Sequence, residues 1–379
     1  MGGPLFQLLR RAHLAGDAPA LARRRVVVIS LFLWLPLLIL SALQGRLLPG
    51  TVAVPFLYDV EAHVRFLVAV PLLVLAELVV HQRMRPVVAQ FINQQLIPES
   101  ASSRFDAAVA SALRLRNSVL TEVLMIAAVF GFGFVWRHYM VLDAATWYAT
   151  PSAGGSKLTL AGDWYLFVSL PATQFLLLRW YFRIFIWTRF LWRVSRIDLC
   201  LVPTHPDRTG GLGFLANMAY AFVPLAAAHG ALLSGMIASR IFFLGTPLPH
   251  FKAEIVVVVV LVVVLVFAPL TPFAPQLSRT KRKGVLEYGA LGQRYVRDFD
   301  TKWLRGGALP NEPLLGTADI QSLADLANSV EIIRSMLAIP ITKGGIVRLV
   351  VATLVPVAPL LLTMMPAEEL LKRLLGVLF

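Results

Sequence analysis

The stretch LVPTHPDRTGGLGFL, Leu201 to Leu215, crowds His205, Pro206, Asp207, Arg208, Gly210, Gly211 and Gly213 between two long apolar runs. These are residues that do chemistry or permit a tight backbone. Glycines allow positive φ and close backbone approach. They stand just before an apolar segment, and a helix opening there would turn its unpaired amides toward an anion. Arg208 adds a charged fork suited to carboxylate or phosphate. The segment therefore reads as an anion cradle built on Gly210, Gly211 and Gly213. The plainer alternative is a tight re-entry turn in which Thr209 or Asp207 caps the helix. It is not a phosphate-binding loop of the Walker type, because no lysine follows the glycines. It also lacks the strand–turn–helix setting of a dinucleotide fingerprint.

Other chemistries find less support. His205 and Asp207, with Glu77 and His81, offer nitrogen and carboxylate donors for zinc or manganese, but no HExxH and no repeated ligand spacing is present. No GxSxG occurs to anchor a serine nucleophile. No cofactor is expected. The single cysteine, Cys200, can form neither an internal disulfide nor a thiolate cluster, and reads as a small buried hydrophobe.

The elements that must carry these residues are set by composition. Of 379 residues, 58% are hydrophobic and only 15% charged. A soluble fold of this size cannot bury so much apolar surface, so the expectation is an all-α polytopic membrane protein. Seven segments have spanning length: 26–43, 64–80, 119–136, 164–187, 214–238, 255–275 and 346–365. The first follows Arg23-Arg24-Arg25 but is too long for a signal peptide, so it reads as a retained span. Several spans carry proline, namely Pro36, Pro71, Pro171, Pro224, Pro269 and Pro356. No internal repeat is evident.

Charge supplies an orientation. With the N-terminus in the cytoplasm, the inner segments hold 24 Lys and Arg against 7 outside. That asymmetry accounts for most of the net charge of +14 and makes a nucleic-acid partner unnecessary. The expected organisation is a bundle of six spans over 1–275 with the 205–215 loop on its cytoplasmic side. A cytoplasmic helical segment follows at 276–345, then a last span and an amphipathic C-terminal helix at 346–379. Arg279 to Lys283 suit anionic headgroups. Beyond them Leu291, Tyr295, Phe299 and Trp303 recur every four residues on one helix face. A second amphipathic helix, capped by Thr317 and closed by Pro340, follows. The two together, 284–338, could pack under the spans or recruit a partner. Both chain ends also read as interfacial.

Ionisable residues inside spans are costly and face a partner or water. Glu77, His81, Glu122, Arg179 and Arg183 fall at one depth, the cytoplasmic edge, with His205, Asp207, Arg208 and Asn217. Either they close on one another as ion pairs between helices, or they line the inner mouth of a path. His229, deeper in its span, is expected to bond a neighbouring helix. The leading functional expectation is a channel or transporter for an ion or small solute with an anion-favouring cytoplasmic vestibule. An assembly or sensor protein and an inner-leaflet enzyme are the alternatives. A homo-oligomer is compatible with either.

HPDRTGGLGFL, with EPLLGTADIQSLADLANSVEIIRSM and VATLVPVAPLLLTMMPAEELLKRLL, resembles a family of uncharacterised bacterial multi-pass inner-membrane proteins. The likeness covers the second half of the chain. It implies a bacterial inner-membrane location and no particular activity.

Overall fold

The computed structural model describes residues 19–136, 145–152, 155–309, 312–313 and 316–364. The expected interfacial helices at the two chain ends lie outside these residues. The fold is helical, as the composition requires. A short antiparallel hairpin, β1 (Ala149–Ser152) with β2 (Gly155–Leu158), is the departure among the described residues.

Helix α1 (Pro19–Leu43) is followed by α2 (Val60–Asn93), α3 (Ser102–Arg116) and α4 (Val119–Trp136). After the hairpin come α5 (residues 160–194), α6 (Gly213–Leu244) and a long α7 (Leu248–Leu304). Helices α8 (Ala318–Arg334), α9 (Lys343–Leu354) and the short α10 (Ala358–Met364) complete the order.

Among the described residues, four helices are long and apolar enough to cross a membrane: Arg23–Leu43 within α1, then α2, α6 and α7. The pair α9 and α10, bent by 53°, makes a fifth if it counts as one span. The expected segment at 119–136 offers a shorter apolar run, Val119–Gly131. The one at 164–187 lies in α5, which is not among the four. Arg179 and Arg183 interrupt its apolar stretch.

The prolines mark the breaks. Pro71 and Pro171 stand second after five-residue π turns, Arg65–Ala69 and Tyr165–Ser169. In each, the residue before proline donates its N–H five residues back, to Arg65 and Tyr165 respectively. The widened turn removes the clash that a proline ring makes with the carbonyl of the preceding turn. Pro224 and Pro269 accompany 3₁₀ turns at Asn217–Phe222 and Ala268–Phe273, and Pro356 lies at the α9–α10 bend. Pro36 alone of the six is inside an uninterrupted α-helix.

These breaks expose a repeat that the residues conceal. Asp59 and Thr159 each cap a helix by accepting from the N–H three residues on. Each is followed by one α turn, Val60–Val64 or Leu160–Trp164, then the π turn, the proline and a long α segment. The offset is 100 residues throughout (from Asp59 to Thr159, Arg65 to Tyr165 and Pro71 to Pro171), and α4 stands where α1 stands. The expectation of no internal repeat is therefore corrected. Identities such as Phe32/Phe132, Val68/Val168, Pro71/Pro171 and Arg83/Arg183 are too sparse to reveal it in sequence. Apolar positions in lipid accept many residues, whereas a proline needs its relieved turn.

The two copies meet at their π turns, where Arg65 bonds Tyr165 and Glu61, and Phe66 packs edge-on against Tyr165. The loops before α2 and before the hairpin join as well. Ala53 N–H donates to Ala145, and Trp147 N–H to Val54. Trp147 is fully buried there, with its indole N–H on Asp59 at 2.8 Å. At the other end, Phe91, Phe105, Phe190, Phe214 and Phe273 bring α2, α3, α5, α6 and α7 into one core.

Tight backbone contact fixes the remaining helices. A Cβ on Gly230 of α6 would collide with the carbonyl of Thr353 in α9. Arg348 of α9, which the sequence places within a span, stacks over Tyr220 at 3.8 Å. Helix α8 folds back on the inner part of α7. Tyr295 OH donates to Asp319 O, and Trp303 Nε1 and Lys302 Nζ both donate to the Asp319 carboxylate. Cys200 is exposed, contrary to expectation, because its loop leaves the core while its N–H holds Leu96 O.

Candidate functional site

Glu77 sits in the long α segment of α2, beyond the π turn and Pro71. Arg179 and Arg183 occupy one face of α5 at i and i+4, beyond the matching π turn. The repeat thus brings one carboxylate opposite two guanidinium groups. Arg179 donates to Glu77 Oε1 at 3.1 Å and Arg183 to the same oxygen at 2.5 Å. Arg183 also lies over Trp180, 5.3 Å from the ring centre. The ion pairs are partly buried, so their Coulomb energy is less screened than at a surface.

They do not close the space between the helices. A cavity of about 530 Å³ is lined by Glu77, His81, Glu122, Arg179 and Arg183, five of the residues singled out from the sequence. Shared depth became shared space because α2, α4 and α5 converge there with the end of α3. The wall contains equivalent positions of the two repeats: Arg25 and Met125, Val80 and Trp180, Met84 and Ile184. Arg25 in the first turns of α1 and Glu122 in the first turn of α4 reach the same cavity, so the two hairpins run in the same direction. The cavity lies between them.

Sequence reasoning missed Arg25, Arg116, Asn117 and Ser118, which also line it. Arg25 was read with the flanking RRR run. Its signal was position: it is the arginine that directly adjoins the first apolar residue. Arg25 is only 8% exposed and its Nε has no hydrogen-bond partner, and Asn117 Oδ1 is likewise buried and unpartnered. The Asp59, Glu61, Arg65 and Tyr165 group was missed too, because its members come from two repeats 100 residues apart.

The 205–215 loop stands apart from that wall. None of His205, Asp207, Arg208 and Asn217 lines the cavity. The loop closes on itself. The Asp207 carboxylate accepts the N–H groups of Thr209 at 2.8 Å, Gly211 at 3.1 Å and Gly213 at 2.7 Å. The amides that would receive an outside anion hold this one. Gly213 opens α6 after Leu212, and the Asp207 carboxylate takes its N–H from within the preceding loop. Burial raises the proton affinity of Asp207, but the backbone N–H groups outweigh it and hold the carboxyl below its ordinary range. His205 Nδ1 lies 2.9 Å from Asp207 Oδ1.

The glycines have local reasons. Gly210 and Gly211 adopt φ of +65° and +100°, and a Cβ on Gly213 would lie 2.8 Å from the Asp207 Cβ. Arg208, exposed and at φ +56°, presents its carbonyl to Leu337 N at 2.8 Å and so ties the loop to the segment after α8. Asn217 is exposed. His229 bonds Tyr181 OH at 2.9 Å, joining α6 to α5, and Leu225 O at 2.8 Å. Among the described residues, no three of His, Cys, Asp and Glu converge as metal ligands would.

The arrangement can hold an anion against guanidinium donors within apolar walls. No family model, curated protein or solved structure matches the chain.

Proposed function

We propose that this chain is an integral membrane transporter or channel for an anionic solute, with the cavity between its two repeat hairpins as the binding vestibule. The observation that carries this reading is the meeting of Arg179 and Arg183 on Glu77, with Arg25 lining the same cavity between the repeats. Membrane carriers built from parallel repeats bind at the repeat interface, on helices that are locally broken. Here the cavity lies between the two repeats, beyond the π turns of α2 and α5. Seven spans, the last one bent, with the N-terminus in the cytoplasm of a bacterial cell and the cavity at the inner leaflet, complete the proposal. The partner-recruiting alternative loses part of its cue, since Tyr295 and Trp303 already engage Asp319 of the same chain.

Reconstitution into liposomes tests it. Wild-type protein is expected to pass an anion such as phosphate or chloride faster than Arg179→Gln does. Flux equal to that of protein-free liposomes would end the transport reading.

A further inference from the structure

We infer that the ligand of this cavity is an amphiphilic anion, a phosphate monoester carrying one hydrocarbon chain, drawn from the bilayer. This rests on the proposed vestibule and names what enters it.

Charge selects the head. Four arginines, Arg25, Arg116, Arg179 and Arg183, line the cavity with two glutamates, Glu77 and Glu122, an excess of two positive charges with His81 neutral. A phosphate monoester carries about −1.5 to −2 at neutral pH. Arg25 lines the cavity, is nine-tenths buried, and its Nε has no hydrogen-bond partner in the protein. Arg179 and Arg183 each keep guanidinium donors beyond the one spent on Glu77. These planar forks suit phosphate oxygens.

Size and wall select the tail. At about 530 Å³ the cavity falls in the range of pockets that hold drug-sized organic molecules and far exceeds a bare phosphate. Most of its wall is apolar and includes Leu78, Val88, Val109, Leu113, Phe182 and Ile186. A hydrated inorganic anion gains nothing from that surface, whereas a methylene chain gains about 0.8 kcal/mol per buried CH₂. Leu113, a lining residue, is 43% exposed. A chain can enter there while its head remains among the arginines.

The test uses the full-length protein in a neutral maltoside detergent, with ligand retention read by native mass spectrometry. Lysophosphatidate is expected to remain bound at least roughly ten-fold more than lysophosphatidylcholine of the same chain length, and inorganic phosphate is expected to leave no adduct. Arg25→Gln should lose most lysophosphatidate. Leu113→Trp, which alters no charge, should lose it as well while keeping the melting temperature of the wild type. Equal retention of the two lysolipids overturns the inference. Retention of inorganic phosphate as strong as that of lysophosphatidate overturns it too, but leaves the anion vestibule standing. If no probe binds and no anion flux is seen, both readings fall. Lysophosphatidate binding without flux in liposomes upholds this inference and removes transport.

Discussion

At the residue scale, two carboxylates of different kinds organise the polar chemistry. Asp207 is satisfied by the amides of Thr209, Gly211 and Gly213, so its replacement tests the loop that these bonds close. Asp207→Asn removes the charge that three N–H groups share and is expected to cost about 0.5–2 kcal/mol, seen as a lower melting temperature. The pH dependence follows from the sign of the shift. The folded-state carboxyl titrates below its ordinary value, so its contribution is complete above about pH 4 and is lost as pH falls through the folded-state value. Melting curves below pH 4 should therefore be flatter for Asp207→Asn than for the wild type. An identical slope would remove the carboxylate from the account.

Glu77 is the second kind, held by side chains from another helix. Glu77→Gln leaves Arg179 and Arg183 facing each other without their shared anion. Losing one partner of a buried pair costs about 3–5 kcal/mol, and these groups are only partly buried, so about 2 kcal/mol is expected. The triple variant in which Arg179 and Arg183 become Gln along with Glu77 should recover some of that loss. If it melts lower than Glu77→Gln alone, the carboxylate was not balancing the two cations.

At the element scale, the breaks in the helices matter as much as the helices. The π turns let α2 and α5 carry proline near their N-terminal ends without losing continuity, and they bring Arg65 to Tyr165. Tyr165→Phe keeps the ring against Phe66 but removes the hydroxyl. It should destabilise the end of the bundle that holds the π turns by about 1 kcal/mol and raise hydrogen exchange there, with the cavity end unchanged. The close approach of α6 and α9 is stricter. Gly230→Ala puts a methyl group onto the Thr353 carbonyl, which cannot yield without separating the helices. Its expected cost of about 2 kcal/mol or more, read by thermal unfolding in detergent, exceeds that of Gly289→Ala, whose added Cβ meets no atom within 4 Å. Equal effects of the two substitutions would remove this contact from the packing account.

At the scale of the whole molecule, orientation and repeat can be tested together. Cys200 is the sole cysteine and it is exposed, so it reports its own side of the membrane. An impermeant maleimide added to intact spheroplasts should leave it unlabelled, and the same reagent added to inside-out vesicles should label it. The reverse result would invert the topology and with it the leaflet that the cavity faces.

Part of the molecule was legible in the residues. Composition demanded helices long and apolar enough for lipid, and the price of burying an ion marked Glu77, His81, Glu122, Arg179 and Arg183 as residues in need of company. These are one-dimensional consequences of transfer energies, and each is borne by the residue type itself. The tertiary structure decided which company they keep. It gathered those five around one cavity, added Arg25 from a run that read as a flank, and turned Asp207 inward so that the glycine-rich loop holds its own anion. It also disclosed the repeat, because a π turn leaves no mark in residue types beyond its proline. Partner choice depends on the angle and register at which distant helices cross. Those are set by the packing of the whole bundle, where many sequences serve equally well, so no single residue announces them.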